Sequence, residues 1–205
     1  MINKIKSVDG EIKANKDNLV AIGTSTGGPK ALQSIIPLIK KDINCSIVIV
    51  QHMPKGFTKS LSERLNTISN ITVKEAEHGE IVKKGYCYIA PGDYHMSIIE
   101  KNKNIYINLS KEKPVSGHRP SVDVMMQSVA KLKDINKIGV ILTGMGSDGA
   151  KGMKEIFESG GYTIAQNEET CVVYGMPKSA INIEVIKKIL PLDQIASEIM
   201  NILGG

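Results

Sequence analysis

Three short stretches carry residue types that could do acyl-transfer chemistry: Gly23-Thr24-Ser25-Thr26-Gly27-Gly28, Gln51-His52-Met53-Pro54 and Thr143-Gly144-Met145-Gly146-Ser147-Asp148-Gly149. The first fits G-x-S-x-G, the pattern of a nucleophile elbow. In that turn the flanking glycines let the backbone bend sharply from strand to helix, which leaves the hydroxyl exposed and the following N–H groups free to hold an oxyanion. Taken alone, the loop is also compatible with an anion site at a helix N-terminus, or with a structural turn. A standard P-loop is excluded, because Pro29 stands where that motif needs lysine, and the Gly23–Gly28 loop does not fit G-x-G-x-x-G either.

His52 and Asp148 each have a plain alternative: a lone histidine often only packs, and an aspartate in a Gly-rich turn is a good helix N-cap. The combination says more. A hydroxyl, an imidazole and a carboxylate, each just past an apolar run, are what a triad needs: nucleophile, base, and a group holding the base in one tautomer. Their chain order, Ser then His then Asp, differs from the Ser, Asp, His order of the α/β-hydrolases. The same chemistry on a different fold is implied.

The surrounding pattern supplies the scaffold. Short β-type runs alternate with segments of helical period from Leu19 onward, the signature of βαβ units around a mostly parallel, doubly wound sheet flanked by helices in a Rossmann-like three-layer arrangement. Leu19 to Ile22, Ser46 to Val50 and Ile138 to Leu142 read as buried strands, and each runs into one of the three stretches above. Ligands of such sheets collect at the carboxyl ends of the strands. Leu32, Ile35, Ile36 and Ile39 mark a helix that Pro37 should end early. Phe57, Leu61, Leu65 and Ile68 mark a second. Ser121 is a fair N-cap for a third, whose apolar face carries Val122, Met125, Met126, Val129 and Leu132, the Met pair as core filler. Ala150, Met153, Ile156 and Phe157 follow on another helix, then a strand from Tyr162 to Ala165 and a last amphipathic helix from about Asp193. Between Thr72 and Leu109, Tyr86 to Ile89 and Ile105 to Leu109 read as strands of an antiparallel hairpin added to the sheet.

At 205 residues the chain fits one folded domain, expected over 19–205, preceded by a polar, Lys-rich segment 1–18 that reads as a flexible tail or linker remnant. No run approaches the roughly 18 apolar residues of a membrane-spanning helix, and the N-terminus has no apolar core of a secretory signal. The formal charge of +5 permits an acidic partner. Nucleic acid is nevertheless disfavoured, because aromatic residues make up 4%, Trp is absent and the lysines are dispersed. Cys45, Cys87 and Cys171 lack metal or disulfide spacing and read as free thiols in a reducing cytoplasm.

The three stretches, together with Tyr88-Ile89-Ala90-Pro91-Gly92, His118-Arg119-Pro120-Ser121-Val122-Asp123, Ala165-Gln166-Asn167-Glu168 and Tyr174-Gly175-Met176-Pro177, resemble the catalytic domain of the chemotaxis receptor methylesterases (protein-glutamate methylesterases). The matching stretches span nearly everything from Leu19 onward. The resemblance implies a cytoplasmic serine hydrolase that removes glutamyl methyl esters from the cytoplasmic helices of methyl-accepting chemotaxis receptors, and deamidates certain receptor glutamines. It carries the family's catalytic residues onto Ser25, His52 and Asp148, and active-site lining positions onto Thr26 and Met145. No metal or organic cofactor is implied. The phosphoacceptor receiver domain that the family's usual enzyme carries is not in this sequence. His118 and Arg119, on a loop before a helix, are candidates for contacting an acidic receptor surface, with a structural salt bridge as the alternative. His78 and His95 receive no role.

Overall fold

The computed structural model describes residues 16–204. Most of the expected tail, residues 1–15, lies outside the described residues. Strand β1 (Asp17–Thr24) starts upstream of the expected boundary, with Asp17 and Asn18 already paired to Ile135 and Asn136. The remaining elements are α1 (Gly28–Ile35), β2 (Ser46–Gln51), α2 (Phe57–Ile68), β3 (Thr72–Glu75), β4 (Tyr86–Ile89), β5 (His95–Lys101), β6 (Asn104–Ser110), α3 (Val122–Ala130), β7 (Ile135–Ile141), α4 (Ala150–Glu158), β8 (Tyr162–Gln166), α5 (Met176–Ile181), β9 (Lys188–Leu190) and α6 (Leu192–Ile202).

Seven parallel strands in the order β3-β4-β2-β1-β7-β8-β9 form the main sheet. Because side chains of a strand alternate between faces, β1 feeds two cores. Leu19 and Ala21 join Met125, Met126, Met153 and Ile156 on the α3/α4 side, while Val20 and Ile22 join Leu32, Ile35, Leu65 and Ile195 on the α1/α2/α6 side. Each such fully buried aliphatic side chain stabilises the fold by about 1.5–3 kcal/mol. The Met pair is core filler, as its position on the apolar stripe predicts. Pro37 acts as expected: α1 ends at Ile35, and only a short 3₁₀ turn, Ile36–Leu38, follows.

Tyr86–Ile89 is not part of a hairpin: it is β4, parallel to both β2 and β3, with Cys87 opposite Ile47 on one side and Val73 on the other. Its near-continuous apolar run is what a strand covered on both faces requires. The hairpin is β5–β6, a separate two-stranded antiparallel sheet registered from His95 opposite Ser110 to Lys101 opposite Asn104. It leans on α3, where the Ile98 N–H donates to Ser128 Oγ at 2.8 Å.

The chain leaves β1 for β2 on one side and later returns to β7 on the other. The strand order therefore reverses at β1, and the loops after β1, β2 and β7 meet at one edge of the sheet. Among the described residues, no helix is long and apolar enough to cross a membrane. Cys45 and Cys87 are buried free thiols, and burial pushes Cys45 up to about 12, which keeps it protonated.

Candidate active site

Ser25 is the first residue past β1, and its backbone is tied to both neighbouring strand ends. Its N–H donates to Thr143 O at 3.0 Å, and its carbonyl accepts from the Gly28 N–H at 2.8 Å and from Gln51 Nε2 at 3.0 Å. The Thr24 hydroxyl also donates to Thr143 O, at 2.9 Å. Glycines make this convergence possible. Gly27 caps α1 at φ +84, in the left-handed region where only a residue without Cβ is comfortable. A Cβ on Gly144 would stand 2.9 Å from Ser25 Cβ.

His52 follows β2 directly. Its N–H donates to Thr24 O at 3.1 Å, extending the β1–β2 ladder one step past the Thr24–Gln51 pair and setting His52 beside Ser25. Nε2 lies 2.7 Å from Asp148 Oδ2. A proton on Nε2 satisfies that contact and leaves Nδ1 as an acceptor; Nδ1 is buried and has no hydrogen-bond partner. One face of the ring is covered by His118, with centroids 3.8 Å apart and planes 9° from parallel.

Asp148 is placed by a helix other than its own. The N-cap of α4 is Gly149, which makes no side-chain cap, while the Asp148 carboxylate sits at the N-terminus of α3. Its Oδ2 accepts from the Val122 N–H at 2.7 Å, and its Oδ1 accepts from the Ser121 hydroxyl at 2.8 Å and the Asp123 N–H at 3.0 Å. Burial pushes the carboxyl up, but the hydrogen bonds from His52, from the Asp123 and Val122 N–H groups and from Ser121 outweigh it. The net effect holds Asp148 below its ordinary value and keeps it ionised against the imidazole.

Several supporting residues carried no signal in the sequence reading. Asp123 Oδ1 accepts from the Gly149 and Gly152 N–H groups at 2.9 and 2.8 Å, capping α4 in return. His95 Nδ1 accepts from the Ser121 N–H at 3.2 Å, and its Nε2 lies 3.1 Å from Lys113 O, so the tautomer protonated on Nε2 satisfies both. Thr143 Oγ1 donates to Thr26 O at 2.9 Å while accepting from the Val172 and Val173 N–H groups. The Ser121 N-cap and the rule that acidic residues favour a first helical turn could have pointed to Asp123; nothing in the pattern around His95 could have.

Thr26 follows Ser25 and Met145 follows Gly144, whose Cα faces Ser25 Cβ, and both are exposed, Met145 at 71%. Arg119 is engaged within its own loop region: it pairs with Asp93, and Nη1 donates to the carbonyls of Lys111 and Glu112 at 3.2 and 3.0 Å. Its guanidinium thus staples the approach to α3, which is the salt-bridge alternative of the sequence reading. His78 accepts the Leu109 N–H in the hairpin at 3.1 Å. Among the described residues, no group of three or more His, Cys, Asp or Glu is placed to hold a metal ion. A carboxylate, an imidazole with a free acceptor nitrogen and a neighbouring hydroxyl at a helix N-terminus can together activate a nucleophile and stabilise an oxyanion.

A curated relative from Halalkalibacterium halodurans, named protein-glutamate methylesterase/protein-glutamine glutaminase, is 50% identical over 182 residues, 89% of this chain and 53% of its own length. A relative of the same name from Archaeoglobus fulgidus is 48% identical over 208 residues, 98% of this chain and 60% of its own. The chain thus spans somewhat over half the length of these relatives. The crystal structure of the Thermotoga maritima CheB methylesterase catalytic domain superposes with a TM-score of 0.88 at 46% identity, covering 90% of this chain and 97% of that one. Since the CheB methylesterase family model also matches residues 20–199, the chain belongs to the CheB methylesterase family.

Proposed function

We propose that this chain hydrolyses glutamyl methyl esters on the cytoplasmic helices of chemotaxis receptors, and deamidates receptor glutamines, as a step of chemotactic adaptation in the cytoplasm. The observation that carries the reading is the pairing of His52 Nε2 with the buried, multiply hydrogen-bonded Asp148, which leaves Nδ1 without a partner on the strand-end loop next to the one that carries Ser25. In the proposed mechanism Nδ1 takes the Ser25 proton, and Oγ attacks the side-chain ester carbonyl. The tetrahedral oxyanion is held by N–H groups following Ser25, Thr26 first, with the N-terminus of α1 adding its partial positive charge. The imidazolium then gives its proton to the leaving methoxide. Methanol departs, and water, activated by the same nitrogen, releases the glutamate. For an amide the leaving group is ammonia and the steps are otherwise the same.

Asp148 stabilises the imidazolium and fixes its tautomer, and the low value at which its carboxyl is held prevents it from taking the proton itself. The exposed Met145 and Thr26 are where a receptor helix would meet the site. The test is methanol release from methylated receptor membranes by the parent and by Ser25→Ala, with the melting temperature of both recorded. Release that disappears in an equally stable variant is the expected outcome. Equal release from both would remove Ser25 as nucleophile, and none from the parent would end the esterase reading.

A further inference from the structure

His52 is gripped from two directions, and the second grip has no role in the scheme above. The Nε2 contact to Asp148 fixes one vertex of the imidazole. A single hydrogen bond still leaves the ring free to swing about the line through it, and Nδ1, the atom that must meet the serine proton, lies off that line. His118 removes the freedom: its ring lies flat on His52 at 3.8 Å between centroids and 9° between planes. His118 is itself locked on both sides. Its N–H and C=O exchange hydrogen bonds with Val115 at 2.9 and 3.1 Å, and the next residue, Arg119, is bound to Asp93 and to two loop carbonyls.

Resting on the esterase reading, we infer that His118 is a positioning residue for the base: it sets the plane of the His52 ring, and it does so as a neutral ring. Two imidazolium ions stacked at this distance would repel strongly, so a charged His118 would oppose the imidazolium that His52 must become in the transition state. The groups acting on His118 fit that requirement. Burial lowers its pKa, His52 lowers it further, and Asp148 opposes both. Those two groups come from the loops after β2 and β7. On its own loop the charge of Arg119 is matched by Asp93, and His95 faces Ser121 with both ring nitrogens engaged. What the proposal asks of position 118 is a flat ring that stacks, stays uncharged and shields one face of the base.

The experiment compares the parent, His118→Ala and His118→Phe in methanol release, and follows the His118 imidazole by NMR titration in the parent and in His52→Phe. His118→Ala should lose about 10- to 100-fold in kcat with KM nearly unchanged, the scale for a mispositioned reacting group. His118→Phe, which restores a flat ring without a charge, should recover most of that loss. Its acid limb should also keep a slope of one proton where the parent steepens to two. In the NMR arm the His118 pKa should rise when His52 is replaced by phenylalanine, a result that does not depend on any esterase activity. Parental kcat in His118→Ala, or a loss confined to KM, would overturn the inference, as would a His118 titration indifferent to His52. A parent without Ser25-dependent release would instead count against the esterase reading, with the NMR arm still deciding whether the two rings are coupled.

Discussion

Asp148 and Asp123 cap each other's helices. Asp148, on the loop leading into α4, accepts the N–H groups of Val122 and Asp123 at the start of α3, and Asp123, in the first turn of α3, accepts those of Gly149 and Gly152 at the start of α4. Two buried carboxylates would ordinarily repel, and the Asp148 charge does help burial to push Asp123 up. The positive ends of two helices make the arrangement tolerable. The carboxylate that orients His52 is therefore held by a reciprocal contact between two helices rather than by its own loop.

Removing Asp123 should accordingly weaken the fold and the site together. Asp123→Ala leaves two buried N–H groups without their acceptor, and each such group costs about 1–3 kcal/mol. Urea unfolding should show a lower midpoint with an unchanged slope, and kcat should fall while KM holds, because Asp148 loses its fixed position. Asp123→Asn, which keeps an acceptor oxygen, should fall between. Parental stability in Asp123→Ala would show that the α4 N-terminus finds other partners.

Acid should reveal Asp148. Its folded pKa lies below the ordinary aspartate value of about 3.9, so the unfolded chain binds the proton more readily. The stabilisation this gives is complete above that ordinary value, and it is lost as the pH falls through the lowered folded one. Asp123 has the opposite sign: its raised pKa means that protonation near and above pH about 3.9 relieves the fold. Chemical denaturation of the parent and Asp148→Asn across this range should show the parent's advantage shrinking toward low pH. A difference that stays constant would mean that the Asp148 charge contributes nothing.

The strand-end logic made legible that the loops carrying Ser25, His52 and Asp148 meet, since adjacent parallel strands oblige their following loops to converge. The Ser121 cap and the Pro37 break were readable for the same reason: each depends on a local rule. What surrounds the three residues was not legible. His95, Gln51 and Thr143 act through contacts between segments 26 to 119 positions apart, as with Ser121 N–H to His95, Gln51 to Ser25 O and Thr143 O to Thr24. Tyr86–Ile89 pairs in parallel with β2 and β3 rather than in a hairpin, and a short apolar strand does not announce its partner. The segment carrying α5 and β9 has elements of only 6 and 3 residues, too short for periodicity to show.

Gly144 should be intolerant of any side chain. A Cβ there would meet Ser25 Cβ at 2.9 Å and collide with Met176 Sδ. Overpacking of a tight site typically costs about 1–3 kcal/mol, and here the atom that yields on one side belongs to the proposed nucleophile. Gly144→Ala should therefore lower kcat by more than its loss of stability alone would produce at the assay temperature, measured as turnover per folded molecule. Turnover scaling only with the folded fraction would place the strain entirely on Met176.

His95 offers the sharpest separation of support from chemistry, because it touches neither Ser25 nor His52 in any hydrogen bond yet holds the residue that begins the Asp148 cradle. Its Nδ1 is the acceptor for the Ser121 N–H, and Ser121 in turn donates its hydroxyl to Asp148. His95→Phe keeps the ring volume but removes that acceptor at a site where His95 is 2% exposed, so stability should drop by about 1–3 kcal/mol for the orphaned donor. Activity should fall too, through kcat, because a shifted Ser121 moves the carboxylate that orients the base. His95→Gln, whose amide oxygen could reach the same N–H, should restore part of both. If His95→Phe lowered stability with turnover per folded molecule intact, the Val122 and Asp123 N–H groups would be enough to hold Asp148, and His95 would belong to the scaffold alone.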